Sequence, residues 1–294
     1  LRAKEGNKST TTEALRKFYE RNKYQYLHKP ETIPNIKLLA LFWKSISNQD
    51  NQRFTNSILK KLFVLTYAPN GMWQNIVSVY FLHNKLPDGA LEETEFSFFL
   101  DRITAFIYAY AITNPGVNAL RTPIYDEMIN IVNGVKVTFE KYKFNESQAR
   151  SFFDNYKFTN QRNITRSVIT WYAHTFSEQN LLDFNEIFHL EHIYSKKRQE
   201  MEEGLENTTA IESLGNKILL EGSINIRASD YRFEDKKNIY SGEQRRGENK
   251  EPSKILEIAE LISFDEFEEK QIVDRNKKIL DKFFAFLQRE HLIA

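Results

Sequence analysis

Cysteine is absent from the 294 residues. That excludes disulfides and thiolate metal sites and is consistent with a reducing cytoplasm, leaving histidine, carboxylate and amide groups as the available ligands. Only ten glycines and seven prolines stand against 23 Phe and 14 Tyr. Turn signals are therefore few and bulky apolar surface is plentiful, which favours helices over a many-turned sandwich. No apolar run approaches the ~20 residues needed to cross a bilayer, and the N-terminus lacks the charged-then-apolar layout of a signal peptide. A cytoplasmic chain with no membrane association is expected. Neither sign of charge dominates, with 41 Lys and Arg against 40 Asp and Glu, so any contact with nucleic acid must come from a local patch. An initiator Met is also missing, and the start at Leu1 in a polar stretch suggests a piece of a longer chain or a processed terminus.

What is present is mostly helical periodicity. The length suits one large or two ordinary domains of about 100 to 200 residues, and two are expected. Thr10-Thr11-Thr12-Glu13 has capping-box spacing and predicts a helix to about Leu27. Pro30 and Pro34 then break the chain before a helix over 36–46, and Phe54, Ile58, Leu62 and Leu65 mark a third. Further helices follow over 73–82, 92–112 and 123–132, with Pro123 in a first turn. The stretch 139–158 reads as partly helical, and another helix opens at Asn163 and runs past Trp171. A boundary is expected near 179–183, where helical spacing gives way to a strand-like run. The segment 241–252, with Arg245-Arg246, reads as an exposed loop, and Ser263-Phe264-Asp265-Glu266 as a capping box for a closing helix.

Chemistry concentrates between Phe188 and Tyr240. His28, His83, His174 and His291 stand without a nearby polar constellation and read as surface or packing residues. Glu191-His192 closes the apolar run 187–193 and is followed by Leu214-Gly215-Asn216-Lys217-Ile218-Leu219-Leu220, Asn225 and a basic segment from Arg232 to Lys237. A phosphodiester nuclease using one hard metal needs an oxygen ligand for the ion and a neutral imidazole to take a proton from water. Glu191, Asn225 and His192 are of those types. Adjacent strand residues point to opposite faces, so a bend or bulge is expected at this strand end if Glu191 and His192 are to meet. His189, two positions before Glu191, shares its side of the strand and suits a supporting role or a weak metal contact.

The ordered series Glu191-His192-Ile193, Leu214 to Leu220, Asn225, Phe233-x-x-Lys236-Lys237 and Tyr240 resembles the HNH (His-Me finger) nuclease domain at the C-terminus of GmrSD-type restriction proteins. The likeness extends to Arg275 in the final helix and covers roughly the last 110 residues. It implies a mainly α chain with a small α+β unit. In that organisation a helical domain over 1–180 precedes a ββα-metal nuclease core with a closing C-terminal helix over 181–294. Carried over by position, the resemblance makes Glu191 an acidic metal ligand, His192 the general base and Asn225 an amide ligand. Asn216 becomes the buttress of the histidine-bearing loop, and Lys236 a cation that holds phosphate or steadies transition-state charge. The implied cofactor is Mg²⁺ or Mn²⁺, and the implied partner is DNA, extending by analogy to modified phage DNA. Many relatives read His-Ile-x-Pro, whereas Tyr194-Ser195 follow His192-Ile193 here, which bears on loop shape rather than on reactivity.

From Glu191 to Lys250, eleven Lys and Arg face twelve Asp and Glu, so the region is not polybasic. Lys196, Lys197, Arg198, Arg227, Arg232 and Lys237 nevertheless fall near the expected site and form a candidate phosphate-binding surface, with Glu200 to Glu206 apart as a helix. The N-terminal half resembles, less distinctively, the helical region that joins an upstream nucleotide-binding domain to the nuclease in such fused proteins. Asn118-Ala119-Leu120-Arg121 and Thr165-Arg166-Ser167 carry that likeness. No phosphate-binding glycine loop occurs in the chain, so an upstream nucleotide-binding domain would lie outside it. The alternative function is a non-catalytic DNA-binding or protein-interaction module that keeps the scaffold. In that case Glu191-His192 is a solvated strand end, Asn225 a helix cap and Lys236-Lys237 a wet helix face.

Overall fold

The computed structural model describes residues 3, 6, 12–21, 23–116, 118–243 and 249–294. Thr10, on which the expected capping box rests, and the pair Arg245-Arg246 lie outside the described residues. Among those residues the chain forms thirteen α-helices and one two-stranded antiparallel sheet. It divides into two compact units, one of residues 1–62, 70–144 and 290–294, the other of 63–69 and 145–289.

The first unit carries α1 (Thr12–Arg21), α2 (Thr32–Ser47), most of α3 (Asn56–Thr66), α4 (Met72–Asn84), α5 (Glu93–Thr113) and α6 (Arg121–Val132). α1 stops short of the expected Leu27 because Lys23 and Tyr24 adopt left-handed backbone, with φ of 47° and 58°. Pro34 does not break the chain; it sits in the first turn of α2, where a missing N–H leaves no helical bond unmade. Pro123 occupies the same kind of place in α6. Glu92 caps α5, accepting from the N–H groups of Thr94 and Glu95 at 3.1 and 2.6 Å. The abundant aromatics stack inside this unit, Phe42 on Phe81 at 4.2 Å and Phe106 on Phe139 at 3.7 Å between centroids.

The second unit contains α7 (Glu146–Asp154), α8 (Asn163–Ala173), β1 (Phe188–His192), α9 (Lys196–Glu202), β2 (Lys217–Glu221), α10 (Gly222–Ala228), α11 (Phe233–Tyr240), α12 (Glu257–Leu261) and α13 (Glu269–Arg289). β1 and β2 pair antiparallel with continuous register, Phe188 opposite Glu221 through His192 opposite Lys217. α8, buried along most of its length, packs on β2. α13 lays Phe283 and Phe286 against Trp171, with centroids 5.0 and 5.3 Å apart. No described helix is long and apolar enough to cross a membrane.

Several expectations shift here. The helix placed at Glu200 to Glu206 runs instead over Lys196–Glu202, where Glu203 ends it at φ 50°. Leu214 to Asn216 form a 3₁₀ turn, and β2 begins at Lys217. The segment after β2, expected as loop, is the short helix α10. Ser263 caps nothing at the closing helix: its hydroxyl donates to the Glu260 carbonyl at 2.6 Å, and α13 begins at Glu269.

Candidate functional site at the end of the sheet

The Leu-Gly-Asn turn before β2 organises the site. A Cβ on Gly215 would collide with the Ile272 carbonyl oxygen of α13, so only glycine admits this approach. Arg275 of the same helix donates to the carbonyls of Leu214 and Gly215 at 3.0 and 2.7 Å, and its guanidinium is neutralised by buried Glu257 through a 2.8 Å bond from Nε. The turn is thereby held from behind, and Asn216 faces forward. Its Oδ1 accepts from the Tyr194 N–H at 2.7 Å, while its Nδ2 donates to the Tyr194 and Ile211 carbonyls at 3.0 and 3.2 Å. The Ile193 N–H donates to the Asn216 carbonyl at 3.1 Å. The loop leaving His192 is therefore clamped by both main chain and side chain of one residue. Ser195, standing where many relatives have proline, holds φ −68° and ψ 133°, backbone that a proline ring also adopts, so this loop shape does not depend on proline.

β1 reaches His192 without a bulge, and Glu191 and His192 consequently project to opposite faces. Glu191 is buried. Its Oε1 accepts from the Lys236 ammonium at 2.5 Å and the Tyr240 hydroxyl at 3.3 Å, both groups coming from α11 one turn apart. Lys236, with no exposed side-chain surface, also donates to the His192 carbonyl at 2.6 Å. Burial raises the Glu191 carboxyl above the usual range against the pull of Lys236, and burial lowers the Lys236 ammonium. Both of these side-chain bonds fall on Oε1, and the His192 backbone also hydrogen-bonds the carboxylate. Lys236 is thus placed to position the carboxylate, away from solvent, and touching a phosphate would require it to abandon that pair.

On the opposite face His192 sits in a cluster that sequence reading did not identify. Its Nε2 touches the Lys217 ammonium and lies 3.6 Å from Glu212 Oε2, while Lys217 donates to Glu212 at 2.6 Å. The Asn160 amide nitrogen lies 3.4 Å from His192 Nδ1 and donates to the Leu190 carbonyl at 2.9 Å. Burial, then the charge on Lys217, depresses the imidazole to about 4, and Glu212 only partly offsets this. Burial likewise lowers Lys217 to about 8. The cross-strand position of Lys217 was the one signal in the sequence that could have been used; Asn160 and Glu212 are brought in by loops.

Asn225 lies on α10, on the Glu191 side of the sheet. Its Nδ2 is 3.5 Å from His189 Nδ1, and its Oδ1 is buried with no hydrogen-bond partner. Among the described residues no group of three or more His, Cys, Asp and Glu side chains gathers as a metal cluster. The expected basic surface is largely consumed internally. Lys197 pairs with Asp230 at 2.7 Å, Arg198 and Arg232 share Glu202 at 3.0 Å, and Lys237 donates to the Phe264 carbonyl at 2.9 Å. Lys196 remains exposed, and Arg227 keeps a buried Nη1 with no partner.

Residues 144–282 match the family model of the C-terminal domain of GmrSD restriction endonucleases. The match spans nearly the whole continuous part of the second unit, 145–289, and so reaches upstream of the sheet through α7 and α8. No curated protein and no solved structure matches the chain significantly.

Proposed function

We propose that the second unit is a metal-dependent DNA endonuclease domain of the HNH (His-Me finger) type, with His192 as general base and a Mg²⁺ or Mn²⁺ site built on Glu191 and Asn225. The likeness to restriction endonucleases supports the reaction class. The observation that carries the site is the buried, unpartnered amide oxygen of Asn225 on the Glu191 side of the strand that ends at His192. Lys236 and Tyr240 both bind Oε1 of Glu191, the His192 backbone also hydrogen-bonds that carboxylate, and Asn225 Oδ1 is buried without a partner. A carboxylate and an amide oxygen are hard donors suited to Mg²⁺ or Mn²⁺. When bound, such an ion would stabilise the phosphorane-like charge and the departing 3′ oxygen.

The remaining roles belong to the chain. Lys236 and Tyr240 hold the Glu191 carboxylate through Oε1. Asn216 fixes the loop that follows His192, so the imidazole hangs from a braced strand end. Because the base and the metal ligands lie on opposite faces, the scissile phosphate is placed at the end of β1, where the faces meet. His192 then turns away from Lys217 to receive a proton from water. An imidazole depressed to about 4 is neutral but weakly basic at pH 7. An approaching phosphate anion counters the Lys217 charge and raises its basicity. Lys196 and Arg227 are the candidate contacts to the DNA backbone. A role in defence against phage, with modified DNA as target and an upstream nucleotide-binding domain as partner, follows from family analogy.

One observation favours the non-catalytic alternative: both ring nitrogens of His192 face donor groups, Lys217 and Asn160. Incubating supercoiled plasmid, modified and unmodified, with the protein and Mg²⁺ or Mn²⁺ separates the two readings. Nicking that requires the ion and stops with chelator supports the nuclease. Absence of nicking on either DNA, also with the parent protein's remaining domains supplied, favours the scaffold.

A further inference from the structure

The face of β1 that carries Glu191 also carries His189, two residues earlier. Their Cα atoms are about 6.5 Å apart, and both side chains lean to the same side of the pleat. His189 is half-buried, and its Nδ1 is turned towards Asn225 of α10. Its Nε2 lies on the other side, over the start of α10, where a Cβ on Gly222 would come within 3.5 Å of it. The ring is thereby seated against α10 with one nitrogen directed at the Asn225 amide.

That amide is incompletely bonded. With the nitrogen facing His189, Oδ1 is buried and unpaired. An imidazole nitrogen, an amide oxygen and a carboxylate thus lie on one side of β1, and the amide oxygen is buried without a bond.

We propose that His189 is the third protein ligand of the metal site, joining Glu191 and Asn225 through Nδ1. This inference rests on the metal-binding reading of Glu191 and Asn225 given above. Sharing its charge with Lys236, Glu191 is a weakened anchor for a divalent ion, and a neutral nitrogen donor adds affinity without adding a buried charge. The chemistry of the set also changes. Two oxygens alone suit Mg²⁺, whereas a nitrogen among them shifts preference along the transition series, towards Mn²⁺ and more strongly towards Co²⁺ and Ni²⁺. The site is then a mixed nitrogen and oxygen site in which His192 is not a ligand.

The test uses Mn²⁺ as probe, with the full chain, His189→Ala, His189→Asn and His192→Ala, all checked for folding by circular dichroism. Pulsed electron paramagnetic resonance of bound Mn²⁺ reads directly whether a nitrogen is coordinated. The expected result is one strongly coupled nitrogen in the unsubstituted protein, kept in His192→Ala and lost in both His189 variants. Calorimetry should show Ni²⁺ and Mn²⁺ binding weakened about tenfold or more by His189→Ala, with Mg²⁺ binding changed less. A nitrogen signal that survives in the His189 variants overturns the proposal, and if it disappears in His192→Ala the ligand is His192. Bound Mn²⁺ without any nitrogen signal removes His189 but leaves Glu191 and Asn225 standing. Failure of the unsubstituted protein to bind any of the three ions overturns both readings together.

Discussion

The Lys236 ammonium stands 2.5 Å from Glu191 Oε1, and both side chains are buried. The sequence motif Phe-x-x-Lys-Lys-x-x-Tyr thereby acquires a physical reason. Lys236 and Tyr240 lie one helical turn apart on α11 and reach the same carboxylate oxygen. Removing one charge strands the other inside the protein, which costs more than the intact pair contributes. Lys236→Met should therefore lower stability by about 3–5 kcal/mol in urea unfolding. A second change, Glu191→Leu, should recover much of the loss. A cost below about 1 kcal/mol for Lys236→Met would show that Lys236 is not the partner that makes burial of Glu191 tolerable.

The Leu-Gly-Asn turn predicts an equally local failure. A methyl group on Gly215 meets the backbone of α13 rather than a flexible side chain. Gly215→Ala must push that helix away and disturb the Arg275 bonds to the Leu214 and Gly215 carbonyls. A loss of about 2–3 kcal/mol or more is expected from thermal or urea unfolding. Gly134, where no heavy atom would lie within 4 Å of an added Cβ but φ is +71°, provides a comparison: Ala there should cost only about 1 kcal/mol. Equal effects at the two positions would contradict the close approach of α13.

Much of this was legible in the sequence, and the misses follow from its limits. Amphipathic spacing located α3 to α6, and the ordered polar residues located β1, Asn216 and α11, because each depends on neighbours only a few positions apart. The cluster around His192 was not legible. Asn160 lies thirty-two residues before the histidine and Glu212 twenty after it, and no local rule links loops so far apart. α10 was missed because seven residues opening on glycine, with Ile226 exposed, carry almost no periodicity. The resemblance made Lys236 a cation for phosphate or transition-state charge; its contacts with the Glu191 carboxylate and the His192 carbonyl lie more than forty residues away in sequence, where no local spacing shows them.

His192 makes stability depend on pH. Its neighbours are Lys217, Glu212 and Lys236, and burial with the Lys217 charge lowers the ring from 6.5 to about 4. Above pH 6.5 the imidazole is neutral whether folded or unfolded, and its contribution to stability is fully present. As pH falls towards 4 the unfolded chain binds a proton that the folded chain resists, so stability is lost by up to about 3 kcal/mol. Urea midpoints measured between pH 7 and 4 should fall more steeply for the unsubstituted protein than for His192→Gln. Parallel slopes would mean that the ring is not held in its neutral form by the fold.

In the proposed reaction His192 takes the proton from the attacking water. The most direct measurement is the single-turnover rate of Mn²⁺-dependent plasmid cleavage by the unsubstituted protein and by His192→Ala, with bound metal quantified in both. Loss of a general base predicts a rate lower by about 10²–10⁴-fold with metal binding retained. Cleavage by His192→Ala at the unsubstituted rate would contradict it.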